Sequence, residues 1–220
     1  MAQQHYVVGI AGGSASGKTS FLNRLKEKLP NGSVCIISQD NYYRPQAEQQ
    51  RDENGEVNYD LPSSFDKDAF FSDIKKLLAN ESISFEEYTF NNKAQKPCTI
   101  TLHSAPIIIV EGLFVFHYPE IRHLLDLRVY LDVREELKLA RRIKRDHDER
   151  GYPESVVRYQ WTHHVQPSFK KFLKPYRDDS NIIITNNITF KKGLGVLTDH
   201  LLYRLEKVLI FSESSFGENG

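Results

Sequence analysis

Apolar residues fall into short dense runs, separated by longer segments in which they recur every three or four positions. Residues 6–10 (YVVGI), 34–38 (VCIIS), 107–110 (IIIV), 127–131 (LRVYL) and 181–185 (NIIIT) are β-branched runs with little polar alternation. That pattern predicts parallel strands covered on both faces. Between them, residues 18–29 place Phe21, Leu22, Leu25 and Leu29 on one helical side, and Pro30-Asn31-Gly32 stops the helix. Residues 66–79 repeat the pattern with Phe70, Ile74, Leu77 and Leu78, and residues 194–208 with Leu197, Leu201, Leu205 and Val208. Residues 135–146 predict a strongly basic helix, and residues 153–173 a long helix interrupted near Pro167. Strand and helix alternating in this way predict an α/β fold, a five-stranded parallel sheet flanked by helices.

Two regions break the alternation. Residues 83–102 read ISFEEYTFNNKAQKPCTITL, two period-two segments around a polar centre. They predict a β-hairpin inserted beside the sheet, a candidate substrate cover. Residues 41–62 are polar and read as a long loop, a length that in compact domains usually goes with function or disorder. A single domain is expected over residues 1–212, with 213–220 a flexible tail.

Composition narrows the function classes. Of 220 residues, 29 are Lys or Arg and 29 Asp or Glu, so generic adhesion to nucleic acid or an anionic membrane is not favoured. Cys35 and Cys98 have neither metal-ligand spacing nor disulfide density, which implies a reduced, cytoplasmic setting. No signal peptide is expected from the start MAQQHYVVG, and no apolar run has the length to cross a bilayer.

The chemistry begins after the first strand. Gly12-Gly13-Ser14-Ala15-Ser16-Gly17-Lys18-Thr19 satisfies G-x-x-x-x-G-K-[ST] between a predicted strand and a predicted helix, with Ser20 following. Glycines let the backbone curl around phosphate oxygens, and the amides of the loop and helix start point at the anion. Lys18 is placed to reach the outer phosphates and Thr19 to offer a hydroxyl to Mg²⁺. The bland alternative is a glycine-rich turn opening a helix.

Ligands of open α/β sheets bind beyond the carboxyl ends of the strands. Acids follow three strands there: Asp40, Glu111 and Asp132. Phosphoryl transfer needs a group to receive the acceptor's proton and an acid near the magnesium, tasks that Asp40 and Glu111 can divide. Asp132 reads as a cap for the helix after it. On the basic helix Arg142 and Arg145 share a face, a candidate phosphate-closing lid over residues 141–165. A solvated charged face is the alternative. The adjacent His163 and His164 read as structural or surface residues, Trp161 as packing, and Asn186 and Asn187 carry no assigned role.

In order along the chain stand GGSASGKTS, SQDNYY, NYDLPSSFD, EYTF, IIIVEGLFVF and RRIKRDHDERG. With these motifs the chain resembles the uridine (uridine–cytidine) kinases, within the P-loop kinases that include phosphoribulokinase. The resemblance implies the P-loop kinase fold with its hairpin and helical lid, and ATP-dependent phosphorylation of a nucleoside 5′-hydroxyl with Mg²⁺. It implies that Asp40 is the general base, that Asp60 holds the ribose, and that Tyr43, Tyr88, Phe90 and Gln160 line the nucleoside site. Glu111 joins Thr19 at the magnesium, and Arg142 and Arg145 are the lid arginines. Where the family carries its pyrimidine readers, this chain has Lys93 and Tyr152. The resemblance further implies a homo-tetramer. Another nucleoside or a small sugar alcohol stays open as the acceptor. A non-catalytic nucleotide switch also stays open, though it has no need of a base, a ribose acid and a lid together.

Overall fold

A computed structural model describes residues 5–90 and 96–214, with the side chains of the last helix described through Lys207. Its main sheet is parallel and contains β1 (Tyr6–Gly12), β2 (Val34–Ser38), β5 (Ile107–Gly112), β6 (Leu127–Asp132) and β7 (Ile182–Thr185), in the spatial order β2-β5-β1-β6-β7. The smaller antiparallel pair is β3 (Ile83–Glu86) and β4 (Thr99–Leu102), in register from Ile83 opposite Leu102 to Glu86 opposite Thr99. It is the hairpin expected from the period-two segments; residues 91–95, including Lys93, lie outside the described residues.

Side chains of successive strand residues point to opposite faces, and each face feeds its own core. Val7 and Ala11 of β1, Ile108 and Val110 of β5, and Tyr130 of β6 join Phe70, Ile74 and Leu77 of α2 (Lys67–Leu78). On the other face Val8, Ile10, Ile107, Ile109, Val129 and Leu131 pack against Phe21, Leu22 and Leu25 of α1 (Lys18–Lys26). Leu194, Leu197, Leu201 and Leu205 of α8 (Lys191–Ser214) complete that layer. Full burial holds for β1 and β5, while β6 leaves Arg128 and Asp132 half-buried. At the edges, β2 and β7 alternate between more buried and more open positions, because successive side chains point to opposite faces and those faces are unequally covered there.

Local chemistry sets several boundaries. Asp66 accepts from the Ala69 amide at 3.0 Å and caps the start of α2. The basic helix α4 (Glu135–Arg150) runs a turn past its expected end and stops at Gly151, whose φ of 70° is the left-handed conformation that ends helices. Its buried positions are Lys138, Arg142 and Asp146, a polar stripe at four-residue spacing turned inward. Its N-cap is Arg134 without a side-chain bond. Asp132 is therefore no cap: its Oδ2 accepts from Arg177 Nη2 at 2.8 Å and Nε at 3.1 Å.

The long helix after Gly151 is continuous past Pro167, over residues 154–177. It begins as α5 (Glu154–Gln160), widens into π turns at Trp161–Val165 and Phe169–Leu173, and ends as α7 (Lys174–Arg177). Between the π turns lies α6 (Gln166–Ser168), and π geometry lets Pro167 be accommodated where a plain α-helix would lose a bond. A short helix, α3 (Pro119–Arg122), has no counterpart in the hydrophobic periodicity. Among the described residues, no helix is long and apolar enough to cross a membrane.

Candidate functional site

β1, β2 and β5 end on the same edge of the sheet, with Ser38 in register with Glu111 and Ile10. The segments that follow them enclose a cavity of about 430 Å³. Its floor is the loop after β1. There Ser16 N–H donates to Gly13 O at 3.1 Å, and Ala15 and Gly17 take φ values of 59° and 93°. Those left-handed residues curl the loop into a concave cradle of the kind that binds anions. A Cβ on Gly12 would stand 2.7 Å from Leu131 O and from Ser16 Oγ, so the cradle accepts only glycine there. Lys18 Nζ rests on Gly12 O at 3.0 Å. Asn186, assigned no role from sequence, braces the loop by donating from Nδ2 to Ser16 O at 2.9 Å.

Two carboxylates stand over this floor. Glu111 is buried and accepts a hydrogen bond from the Ser38 hydroxyl. Burial lifts it to about 7, and the Asp40 charge adds to the rise, against Lys18 and Ser38. Asp40 is raised by burial first and by Asp60, while Lys18, Arg150 and Arg145 pull it back. Buried Gln39 locks the two carboxylate-bearing segments together, its Oε1 accepting from the Phe114 amide at 2.9 Å.

The far wall is aromatic. The Tyr43 ring centroid lies 4.9 Å from that of Tyr88, 6.0 Å from Tyr59 and 6.1 Å from Phe90. Asn41 Oδ1 accepts from the Tyr88 amide at 3.2 Å, which ties the hairpin to the loop. The Arg150 guanidinium caps the Phe90 ring at 4.3 Å. Above, Arg142 Nη1 reaches Ser14 Oγ at 3.1 Å and Asp60 Oδ1 at 3.4 Å, and Nη2 reaches Gln160 Oε1 at 3.2 Å. Asp146, 1% exposed, forms ion pairs with Arg142, Arg145 and Arg150.

A cradle for polyphosphate, two acids and converging arginines are the parts of a phosphoryl-transfer site. A model of the Phosphoribulokinase / Uridine kinase family matches residues 7–191. The chain belongs to that family. It is 34% identical to the uridine kinase of Borrelia duttonii over 96% of this chain and 98% of that protein. It is 35% identical to the uridine kinase of Leuconostoc citreum over 90% and 96%. A solved structure of a possible uridine kinase from Bacillus stearothermophilus superposes with a TM-score of 0.59 at 18% identity, covering 83% of this chain and 90% of that one. This member of the phosphoribulokinase / uridine kinase family is a phosphotransferase acting on an alcohol group.

Of the residues expected in the site, Ser14 to Ser20, Asp40, Tyr43, Asp60, Tyr88, Phe90, Glu111, Arg142, Arg145, Tyr152 and Gln160 line the cavity. Gly12 and Gly13 are buried and do not line the cavity. Arg150 and His164 also line the cavity and were not singled out for it. Arg150 was within reach of sequence reasoning, since Gly151 is a helix stop and Arg150 lies eight residues from Arg142, on its face. His164 was not, because a π turn rotates it inward. It is 2% exposed, whereas His163 stacks on Tyr159 outside the core.

Proposed function

We propose that this family member is an ATP-dependent nucleoside kinase that phosphorylates the 5′-hydroxyl of uridine or cytidine. The observation that carries the reading is the lining of one cavity by Lys18, Asp40, Asp60 and the Tyr43–Tyr88–Phe90 wall. Asp60 is placed to hold vicinal ribose hydroxyls, the aromatic rings to pack a base, and Gln160 to bond its acceptor. Asp40 receives the proton of the attacking hydroxyl. Its raised pKa, caused by burial, makes it a stronger base than a solvated carboxylate, and Lys18, Arg150 and Arg145 keep it from being locked in the acid form.

Residues 12–20 fit a nucleotide polyphosphate on the cradle, with Gly12 admitting no Cβ and Asn186 fixing the backbone. For a magnesium ion, Thr19 and Glu111 offer hard oxygen donors. ATP, when bound, supplies the phosphoryl group, and magnesium neutralises its charge. Lys18, Arg142 and Arg145 hold the charge that develops on the transferring group, and the packed aromatic wall keeps water from competing with the acceptor.

A second reading, a different nucleoside or a small sugar alcohol as acceptor, is favoured by Tyr152. It stands 36% exposed on the cavity, where the family resemblance places an arginine reader. Initial rates of ADP formation across uridine, cytidine, purine nucleosides and sugar alcohols, with ATP and magnesium, decide between them. The first reading expects the highest kcat/KM for uridine or cytidine; turnover of sugar alcohols alone overturns it. A homo-tetramer in the cytoplasm accompanies this reading, and sedimentation checks the subunit number.

A further inference from the structure

Asp52, Tyr159 and His164 form a hydrogen-bonded cluster beside the cavity that none of the chemistry above uses. Asp52 Oδ2 accepts from the Tyr159 hydroxyl at 2.6 Å and from His164 Nε2 at 2.8 Å. Its Oδ1 accepts from the amides of Asn54 and Glu56, both at 2.9 Å. Asn54 Nδ2 donates in turn to the Tyr159 oxygen at 2.7 Å. The Tyr159 hydroxyl foremost, then His164 and the two amides, hold Asp52 well below the usual carboxylate range. A charged carboxylate only accepts, so His164 carries its proton on Nε2.

The helix is built to make this cluster. Residues five apart on an α-helix point about 140° away from each other. The π turn at Trp161–Val165 closes its bonds between residues five apart, and so brings His164 round to the side of Tyr159. The cluster joins two segments that meet again in the site. Asp52 lies on the loop that carries Asp60, and Tyr159 and His164 lie on the helix that carries Gln160. Gln160 binds Arg142, and Arg142 pairs with Asp60, so loop and helix are pinned at two separate points.

We infer that Asp52, Tyr159 and His164 are positioning residues: by tying loop to helix they set the distance between Asp60 and Gln160 and so preorganise the acceptor end of the site. A loop held in place before the acceptor arrives loses less freedom when it binds. The acceptor-end role rests on the nucleoside-kinase reading; the tie between loop and helix does not.

Tyr159→Phe removes one hydroxyl and leaves the ring. In hydrogen exchange on the ligand-free protein, the amides of Asn54 and Glu56 are expected to exchange about tenfold faster, the scale of one lost bond to a charged acceptor, with β1 and α1 unchanged. Unchanged exchange at those amides overturns the tie. In steady-state kinetics with uridine, the acceptor KM is expected to rise about three- to tenfold, with kcat and the nucleotide KM within about twofold. An unmoved acceptor KM, or both KM values rising together, overturns the positioning role. Asp52→Asn is expected to reproduce both changes and to add little to Tyr159→Phe; full additivity overturns a single cluster. Absence of nucleoside turnover in the unaltered enzyme sinks the functional reading and with it the acceptor role, while the exchange result still decides the tie.

Discussion

Arg142 Nη1 lies 3.4 Å from Asp60 Oδ1 while the same nitrogen holds the Ser14 hydroxyl at 3.1 Å. One guanidinium thus joins the glycine-rich loop after β1 to the loop that carries Asp60. Its Nε pairs with Asp146 at 3.2 Å, and the two side chains are 8% and 1% exposed. At such burial a charge depends on its partners, because water is not there to replace them. Both loops are therefore tied to one cation that cannot move without loosening one of them.

Asp40→Asn keeps the shape of the side chain and removes the proton acceptor. Turnover is expected to fall by about a hundredfold or more, with nucleotide affinity little changed. Rapid-quench kinetics beside nucleotide titration check this; a turnover near that of the unaltered enzyme removes Asp40 from the role of base.

Asp60→Asn removes one of the two carboxylates paired with Arg142 and, on the nucleoside-kinase reading, the charged partner of the acceptor. kcat/KM for the acceptor is expected to fall about ten- to a hundredfold, the range for losing a hydrogen bond to a charged group, while the nucleotide KM moves less. If the nucleotide KM shifts as far as the acceptor KM, Asp60 serves the cradle rather than the acceptor.

Glu111 gives the ligand-free protein a pH-dependent stability. In the unfolded chain it loses its proton near the ordinary value of 4.5, and in the folded one at about 7. Between those values the folded state holds the extra proton, so stability falls as pH rises through that window and levels off above it. Glu111→Gln is expected to shrink the difference between urea midpoints measured at about pH 5 and about pH 8. An equal difference in both proteins refutes the assignment.

Gly17→Ala tests the cradle. With φ at 93° and Asn186 Nδ2 2.7 Å from the added Cβ, the substitution is strained by its backbone and by its neighbour. A loss of about 1–2 kcal/mol in stability is expected, together with weaker nucleotide binding. Thermal unfolding with and without nucleotide measures both, and a variant equal to the parent in both would show that the loop's curvature is dispensable.

The amino-acid sequence by itself determined what depends on neighbours within a turn or a strand. The β-branched runs at Ile107–Val110 and Val34–Ser38 became strands, and the glycines and Lys18 became the cradle, since backbone sterics and hydrophobic period act over a few residues. Gly151 ended the basic helix for the same reason. Only tertiary structure decided which side chains meet. Arg142 finds Asp60 from 82 residues away, and Asp132 turns to Arg177, 45 residues off, instead of capping the helix beside it. His164 faces inward because a π turn changes the pitch beneath it. Such pairings depend on how separate elements pack, and packing responds to the whole core rather than to the residues next in line.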